Sequence, residues 1–365
     1  MILPIAAFLS VARFEPTASR EQGLATMDRI QKELLMPGGL AYGESAGPGK
    51  EPTAVAFNWS AGVMLSALSA AARADSARRG KLTAYVASTR AYWSGAPPVP
   101  GFDALPPPRS PDRYYDDNEW MVLALLDANE TLKSPAVLER AKAAYRFVMS
   151  GEDPKLGGGI YWREAHKTSK NTCSNGPAAA CALALYRATK DVNYIADAER
   201  IYAWTRSILR DSVDGLYWDN IKLDGKIEKT KWSYNSGLML RAAAELFAAT
   251  KKEAYADDAR EIQASSLSRW VRVDGALRDE GKFMHLLLEN WLRAFSLVLG
   301  VKDPRPTIQR GLDWLLANGA DSLGHFGGRW DRPAPKSPLS SFNLIDQASV
   351  ARALLVASLE MPDHK

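Results

Sequence analysis

Cysteine and histidine are both scarce, with two and four copies in 365 residues. The cysteines, Cys173 and Cys181, stand eight apart on what reads as one helix, so about 12 Å separates them along its axis. That is too far for a disulfide, and they read as small buried thiols. No two histidines have the spacing of metal ligands. Basic residues form no block. The 46 Lys and Arg against 42 Asp and Glu leave a charge of +4 spread along the chain, which argues against a nucleic-acid partner. No apolar run reaches the roughly 18–20 residues of a membrane span. A set of period-two segments, the mark of strands, is missing too.

What is present is 46% hydrophobic and 24% charged, the make-up of a globular protein with a large core. Residues 1–16 form an apolar N-terminal segment. Its Ser10-Val11-Ala12 has the small-x-small pattern that ends a signal peptide, but no positive n-region precedes it. The segment reads either as a truncated signal of a secreted or periplasmic protein or as an apolar arm, which leaves the cytoplasm open. Residues 17–365 are expected to form one domain, and the protein to be a monomer.

A repeat runs through that domain. Asn58, Asp117, Asn175, Asn235, Asn290 and Asp346 mark six similar segments, with gaps of 59, 58, 60, 55 and 56 residues. Each marker opens an Ala/Leu-rich helical run: 63–74, 121–129, 178–189, 238–250, 292–300 and 349–360. These runs are apolar round most of their circumference, as helices buried on all sides are. Before or between them lie amphipathic segments at 17–36, 80–92, 135–149, 192–210, 252–271 and 304–318. Twelve alternating helices pack most economically as an all-α (α/α)6 barrel, six inner helices within six outer ones. Antiparallel alternation then starts every inner helix at one end. The loops agree: those leading into inner helices are long and carry Gly and aromatic residues, whereas returns such as Thr189-Lys190-Asp191 are short. Long loops on one face only are the pattern of a scaffold with one functional rim.

The densest polar cluster at a marker is Arg113-Tyr114-Tyr115-Asp116-Asp117-Asn118-Glu119-Trp120. Cleavage of a glycoside with retention needs an ionised and a protonated carboxyl about 5–5.5 Å apart. Adjacent residues in the first turn of a helix can provide that spacing. The helix N-terminus favours an ionised carboxylate, and two such close charges raise the pKa of one. Asp116 and Asp117 are therefore the candidate catalytic pair, although Asp-Asp at a helix start also serves simply as cap and first-turn acid. Trp162, Trp218, Trp232 and Trp330 sit in rim loops, where indole faces could pack on sugar C–H faces. Asn58, Asn175, Tyr234 and Asn235, with Tyr115 before the acidic pair, are candidates for polar contacts, the asparagines being equally readable as N-caps.

These segments resemble glycoside hydrolase family 76. Tyr115-Asp116-Asp117-Asn118-Glu119-Trp120 is similar to its Asp-Asp signature. Gly158-Gly159-Ile160-Tyr161-Trp162 with Lys170-Asn171-Thr172-Cys173-Ser174-Asn175-Gly176-Pro177 resembles its third repeat, and Trp232-Ser233-Tyr234-Asn235-Ser236-Gly237 its fourth. The likeness spans roughly residues 17–360. It implies an α-1,6-mannanase or related transglycosidase on an (α/α)6 barrel, acting on a polysaccharide or oligosaccharide, with Asp116 as nucleophile and Asp117 as general acid/base and with no metal or cofactor. Ser236 departs from the more usual Gln, and Gly281-Lys282-Phe283-Met284-His285 matches only loosely. The same barrel also carries inverting glycosidases, unsaturated-uronide hydrolases and epimerases. An inverting enzyme would need a second carboxylate, with Glu289 or Asp346 as candidates, and an epimerase would look to His325. A glycan-binding protein without catalysis is the remaining alternative.

Overall fold

The computed structural model describes residues 16–108 and 112–361; the Ser10-Val11-Ala12 pattern lies outside them. Twelve α-helices follow in order: α1 (Pro16–Glu33), α2 (Asn58–Ala74), α3 (Arg79–Ser88), α4 (Tyr115–Leu132), α5 (Pro135–Met149), α6 (Thr172–Thr189), α7 (Asn193–Leu209), α8 (Ser233–Thr250), α9 (Glu253–Trp270), α10 (Gly281–Leu297), α11 (Arg305–Asn318) and α12 (Leu344–Glu360). The even-numbered helices pack α2 on α4, then α6, α8, α10, α12 and back to α2, a closed ring. Among the outer helices, α5, α7 and α9 each lie against the inner helix before them, and α1 lies on α12. This is an (α/α)6 barrel. No described helix is long and apolar enough to cross a membrane.

Alanine and glycine make the inner ring tight. A Cβ on Gly62 would stand 3.3 Å from Trp120, and one on Gly237 would stand 3.1 Å from the Leu287 backbone. Returns from α4, α6 and α8 are two or three residues long, and these three helices all stop at a left-handed lysine: Lys133, Lys190 and Lys251. Each turns its N–H back onto the helix, to Asn129, Tyr186 and Phe247 respectively, a cap more often supplied by glycine.

Two expectations need correction. Asn290 does not open its helix. It lies nine residues after Gly281, mid-way along α10, so the fifth marker sits about 13 Å from the mouth. Short ladders also occur in the lead-in loops: 169–171 with 220–222 and 227–228, 93–94 with 101–102, and 45–46 with 342–343. At two or three residues each, they are too short to leave a period in the sequence.

The lower half of the ring holds buried charge. Glu245 on α8 is 4% exposed and meets Arg187 at 2.5 Å, Arg241 at 3.2 Å and Arg293 at 3.1 Å. Arg352 on α12 binds Glu289 of α10, approaches Asp127 of α4 at 3.6 Å and meets the His285 ring nitrogen at 3.0 Å. Burial works against ionisation of Glu245, and the three guanidiniums more than offset it. Glu245→Gln would leave those arginines around a neutral amide. Breaking a buried pair from one side costs about 3–5 kcal/mol; a urea midpoint lowered to match is the expected outcome, and an unchanged midpoint would show the network to be idle.

Candidate active site

Six inner helices begin at one mouth, and the second residue of each lines the same cavity: Trp59, Asp116, Cys173, Tyr234, Lys282 and Ile345. The cavity measures about 1070 Å³. One wall is aromatic. Phe283 stacks on Tyr234 with centroids 4.4 Å apart and on Trp59 at 5.8 Å, with Phe57 half-exposed at the rim. The other wall is polar, built from Asp112, Tyr114, the two aspartates, Asn171 and Asp219.

The fourth residue of the helix does a different task. Asn118 accepts the Phe102 N–H at 2.7 Å and donates to the Phe102 carbonyl at 2.9 Å. Asn175 treats Ile160 the same way, at 2.7 and 2.9 Å, and Gln347 treats Phe326 so, at 2.9 and 2.8 Å. Ser236 manages half of it, its hydroxyl accepting the Tyr217 N–H at 3.1 Å. These side chains pin the lead-in loops to the ring. Around α4 the pinning is strongest, because Arg113 also forks onto Glu164 at 2.7 and 2.8 Å and the Tyr115 N–H donates to the Trp162 carbonyl at 3.0 Å.

That framework presents Asp116 and Asp117 to the cavity in unlike surroundings. Asp116 Oδ1 accepts the Asp117 backbone N–H at 3.1 Å; its Oδ2 accepts the Trp162 indole N–H at 3.1 Å and the Cys173 thiol at 3.5 Å. Burial raises its pKa to about 6, and those donors restrain the rise. Among the described residues the Asp117 carboxyl has no such donors. Burial, then the charges of Asp116 and Asp112, push it well above the usual carboxylate range. These surroundings favour the charge on Asp116 and the proton on Asp117.

Of the expected ligand contacts, Trp162 and Tyr234 share this cavity with the acidic pair. The others do not line it. Asn58 is fully buried and donates to the Asp117 carbonyl at 3.3 Å, and Asn175 is spent on its loop. Tyr115 is 1% exposed, stacked on Phe147 at 5.1 Å. Trp330 is fully buried against Gly281, and Asn235 is fully buried in α8. Trp218 turns to Asp211, its indole N–H donating at 3.2 Å, and Trp232 edges a separate hollow. Glu289 belongs to the ionic network at the far end, where, against the cost of burial, Arg352, Arg241 and Arg293 hold it at about 2. His325 is clasped by Glu33 at 2.6 Å and Asp321 at 3.2 Å, and it stacks on Phe342. Trp59, Phe283 and Cys173 went unnoticed in the sequence as cavity residues. Counting from helix starts instead of from Asn and Asp would have found Trp59 and Cys173 at second positions; Phe283 stands one place further, at the third. Among the described residues, no cluster of three His, Cys, Asp or Glu side chains is arranged to hold a metal ion.

Comparison with known proteins gives a consistent result. The profile of glycosyl hydrolase family 76 matches residues 36–295. The mannan endo-1,6-α-mannosidase of Candida glabrata is 29% identical over 161 residues, 40% of this chain and 36% of that one. That of Saccharomyces cerevisiae is 28% identical over 162 residues, with the same shares. The chain thus aligns with little more than a third of these relatives' length. A solved family 76 α-mannanase of Bacteroides thetaiotaomicron is 28% identical, with a TM-score of 0.86 over 96% of this chain and 98% of its own. The α-1,6-mannanase of Salegentibacter sp., solved as an inactive variant with α-1,6-mannotriose, shares the fold at 24% identity, with a TM-score of 0.78 over 95% of this chain and 100% of that one.

Behind the acidic pair, Glu119 is fully buried, and neither carboxyl oxygen has a hydrogen-bond partner among the described residues. Burial first, then Asp116 and Asp117, raise its pKa well above 4.5. A carboxyl raised on folding gives stability below its unfolded pKa and withdraws it as pH climbs. Glu119→Gln, neutral at every pH, should melt with the parent near pH 4 and above it at pH 7–8. Thermal melts across that range test this; equal melting temperatures at pH 8 would mean that Glu119 is not held protonated.

Proposed function

The chain belongs to glycosyl hydrolase family 76, and from that membership we propose that it is a retaining glycosidase cleaving α-1,6-mannosidic linkages, with Asp116 as nucleophile and Asp117 as general acid/base. The observation that carries this reading is the unequal setting of the two neighbours. One carboxylate is stabilised by three donors, and the other is left to keep its proton. Usual small-molecule pockets measure about 300–1,000 Å³, and the cavity, at about 1070 Å³, is larger, as an oligosaccharide requires. Its aromatic wall suits the C–H faces of mannose, and its opposite wall suits hydroxyls.

The steps follow from those protonation states. Asp117 gives its proton to the departing glycosidic oxygen while an Asp116 carboxylate oxygen bonds to the anomeric carbon. The C–O bond to the leaving sugar breaks, and a glycosyl ester remains. Asp117, now ionised, takes a proton from a water, which attacks the anomeric carbon and frees Asp116. Two inversions give net retention.

Proton NMR of the first product from an α-1,6-mannan should show the α-anomer; initial release of the β-anomer would overturn the retaining mechanism. Asp116→Asn and Asp117→Asn should each lower kcat about 10²–10⁴-fold, and Asp117→Asn should keep more activity on a substrate whose leaving group needs no proton. Unchanged turnover in both would remove the pair from catalysis.

The pH profile carries a separate expectation. Asp116 must be ionised to attack, so kcat/KM should fall as pH drops through about 6, while the loss at high pH awaits deprotonation of Asp117. A flat profile down to pH 4 would contradict the assignment of Asp116.

A further inference from the structure

Around the cavity, the three second-position residues on α4, α6 and α8 are Asp116, Cys173 and Tyr234. The Cys173 thiol donates to Asp116 Oδ2 at 3.5 Å. A second donor reaches the same oxygen from outside the ring, the Trp162 indole N–H at 3.1 Å. Trp162 is itself held, because its carbonyl accepts the Tyr115 N–H at 3.0 Å and its N–H donates to the Ser169 carbonyl at 3.2 Å. One carboxylate oxygen is thus gripped from two directions by groups anchored on different elements.

We propose that Trp162 and Cys173 are positioning residues: an indole–thiol clamp on Oδ2 of Asp116 that fixes the nucleophile's orientation and favours its ionised form. The role rests on the assignment of Asp116 as nucleophile. It gives the Trp162 indole N–H a task apart from the sugar contact expected of its ring. It also gives the thiol a purpose other than attack. Cys173 is 4% exposed, and burial followed by the charges of Asp116, Asp219 and Glu119 holds it protonated. A protonated thiol is a donor and a poor nucleophile.

The electrostatic surroundings of Asp116 are otherwise unfavourable to its charge. Asp117 and Glu119 lie on its own helix and Asp112 just before it, and Asp219 stands in the loop ahead of α8. Each cation nearby has another carboxylate to serve: Lys282 of α10 is engaged with Glu280 at 2.6 Å and acts on Asp346, Lys222 in the cavity wall acts on Glu228, and Arg163, which lies over the Trp162 ring, approaches Asp112 at 3.8 Å. The groups that hydrogen-bond the Asp116 carboxylate itself are neutral donors. The clamp, the backbone N–H of Asp117 and the N-terminal turn of α4 supply its stabilisation.

The test is the acidic limb of kcat/KM on an α-1,6-mannan. Trp162→Phe keeps the ring and removes the donor; Cys173→Ala removes the thiol. Hydrogen bonds to charged groups shift such equilibria by about tenfold. The limb should therefore move up by about one pH unit in Trp162→Phe and by about half that in Cys173→Ala, thiols being weak donors. Cys173→Ser, which restores a donor, should return the limb toward the parent. KM should change less than kcat in Cys173→Ala. A limb that stays in place in both deletions, with Asp116→Asn inactive, would overturn the clamp and leave the mechanism intact. If Asp116→Asn retained turnover, the mechanism would fail and the clamp with it. A loss of activity in Cys173→Ala and Cys173→Ser alike, without a shifted limb, would mark the thiol as packing only.

Discussion

Six inner helices run the same way round a closed ring, and that shared direction sets the chemistry of both ends. Helix N-termini carry partial positive charge and C-termini partial negative charge. At the mouth, where six N-termini meet, carboxylates gather: Asp112, Asp116, Asp117 and Asp219. At the other end, Arg187, Arg241, Arg293 and Arg352 collect among Glu245, Glu289 and Asp127. The two clusters are complementary to the same aligned dipoles. A barrel with alternating inner directions could not sort its charges this way.

Within the mouth, the field that favours one negative charge does not suffice for three. Asp116, Asp117 and Glu119 lie within four residues of chain and are all raised by burial. What separates them is local donation. Asp116 has an indole, a thiol and a backbone N–H; Glu119 has none. The order of ionisation among three similar groups is thus written in the hydrogen bonds of residues on a neighbouring helix and loop, not in the acids themselves.

Much of the architecture was legible in the chain. The alternation of apolar and amphipathic segments gave twelve helices, and Pro135–Met149 matched to the residue because Ser134-Pro135 signals a helix start. Other features were opaque for identifiable reasons. Asn290 mimicked a marker because the true start of α10, Gly281-Lys282-Phe283-Met284-His285, carries no Asn or Asp. Asn58, Asn175 and Asn235 were good polar candidates by type, yet Asn58 and Asn175 sit at the first and fourth helical positions and bond to backbone, and Asn235, at the third, is fully buried in α8. A shift of one residue turns a helical side chain by about 100°, so a register that is nearly right can still choose the wrong face. Tyr115 and Trp330 show the same limit, since only packing partners reveal that an aromatic residue near a mouth is interior.

The carboxamide grips of Asn118, Asn175 and Gln347 touch only main-chain N–H and C=O groups. A contact that reads no side chain places no demand on the sequence it holds. The rim can therefore exchange its outward residues, lengthen or acquire new shapes while its base stays fastened to the helices below. Diversity at the opening and constancy at the acidic pair are, in this molecule, separable by construction.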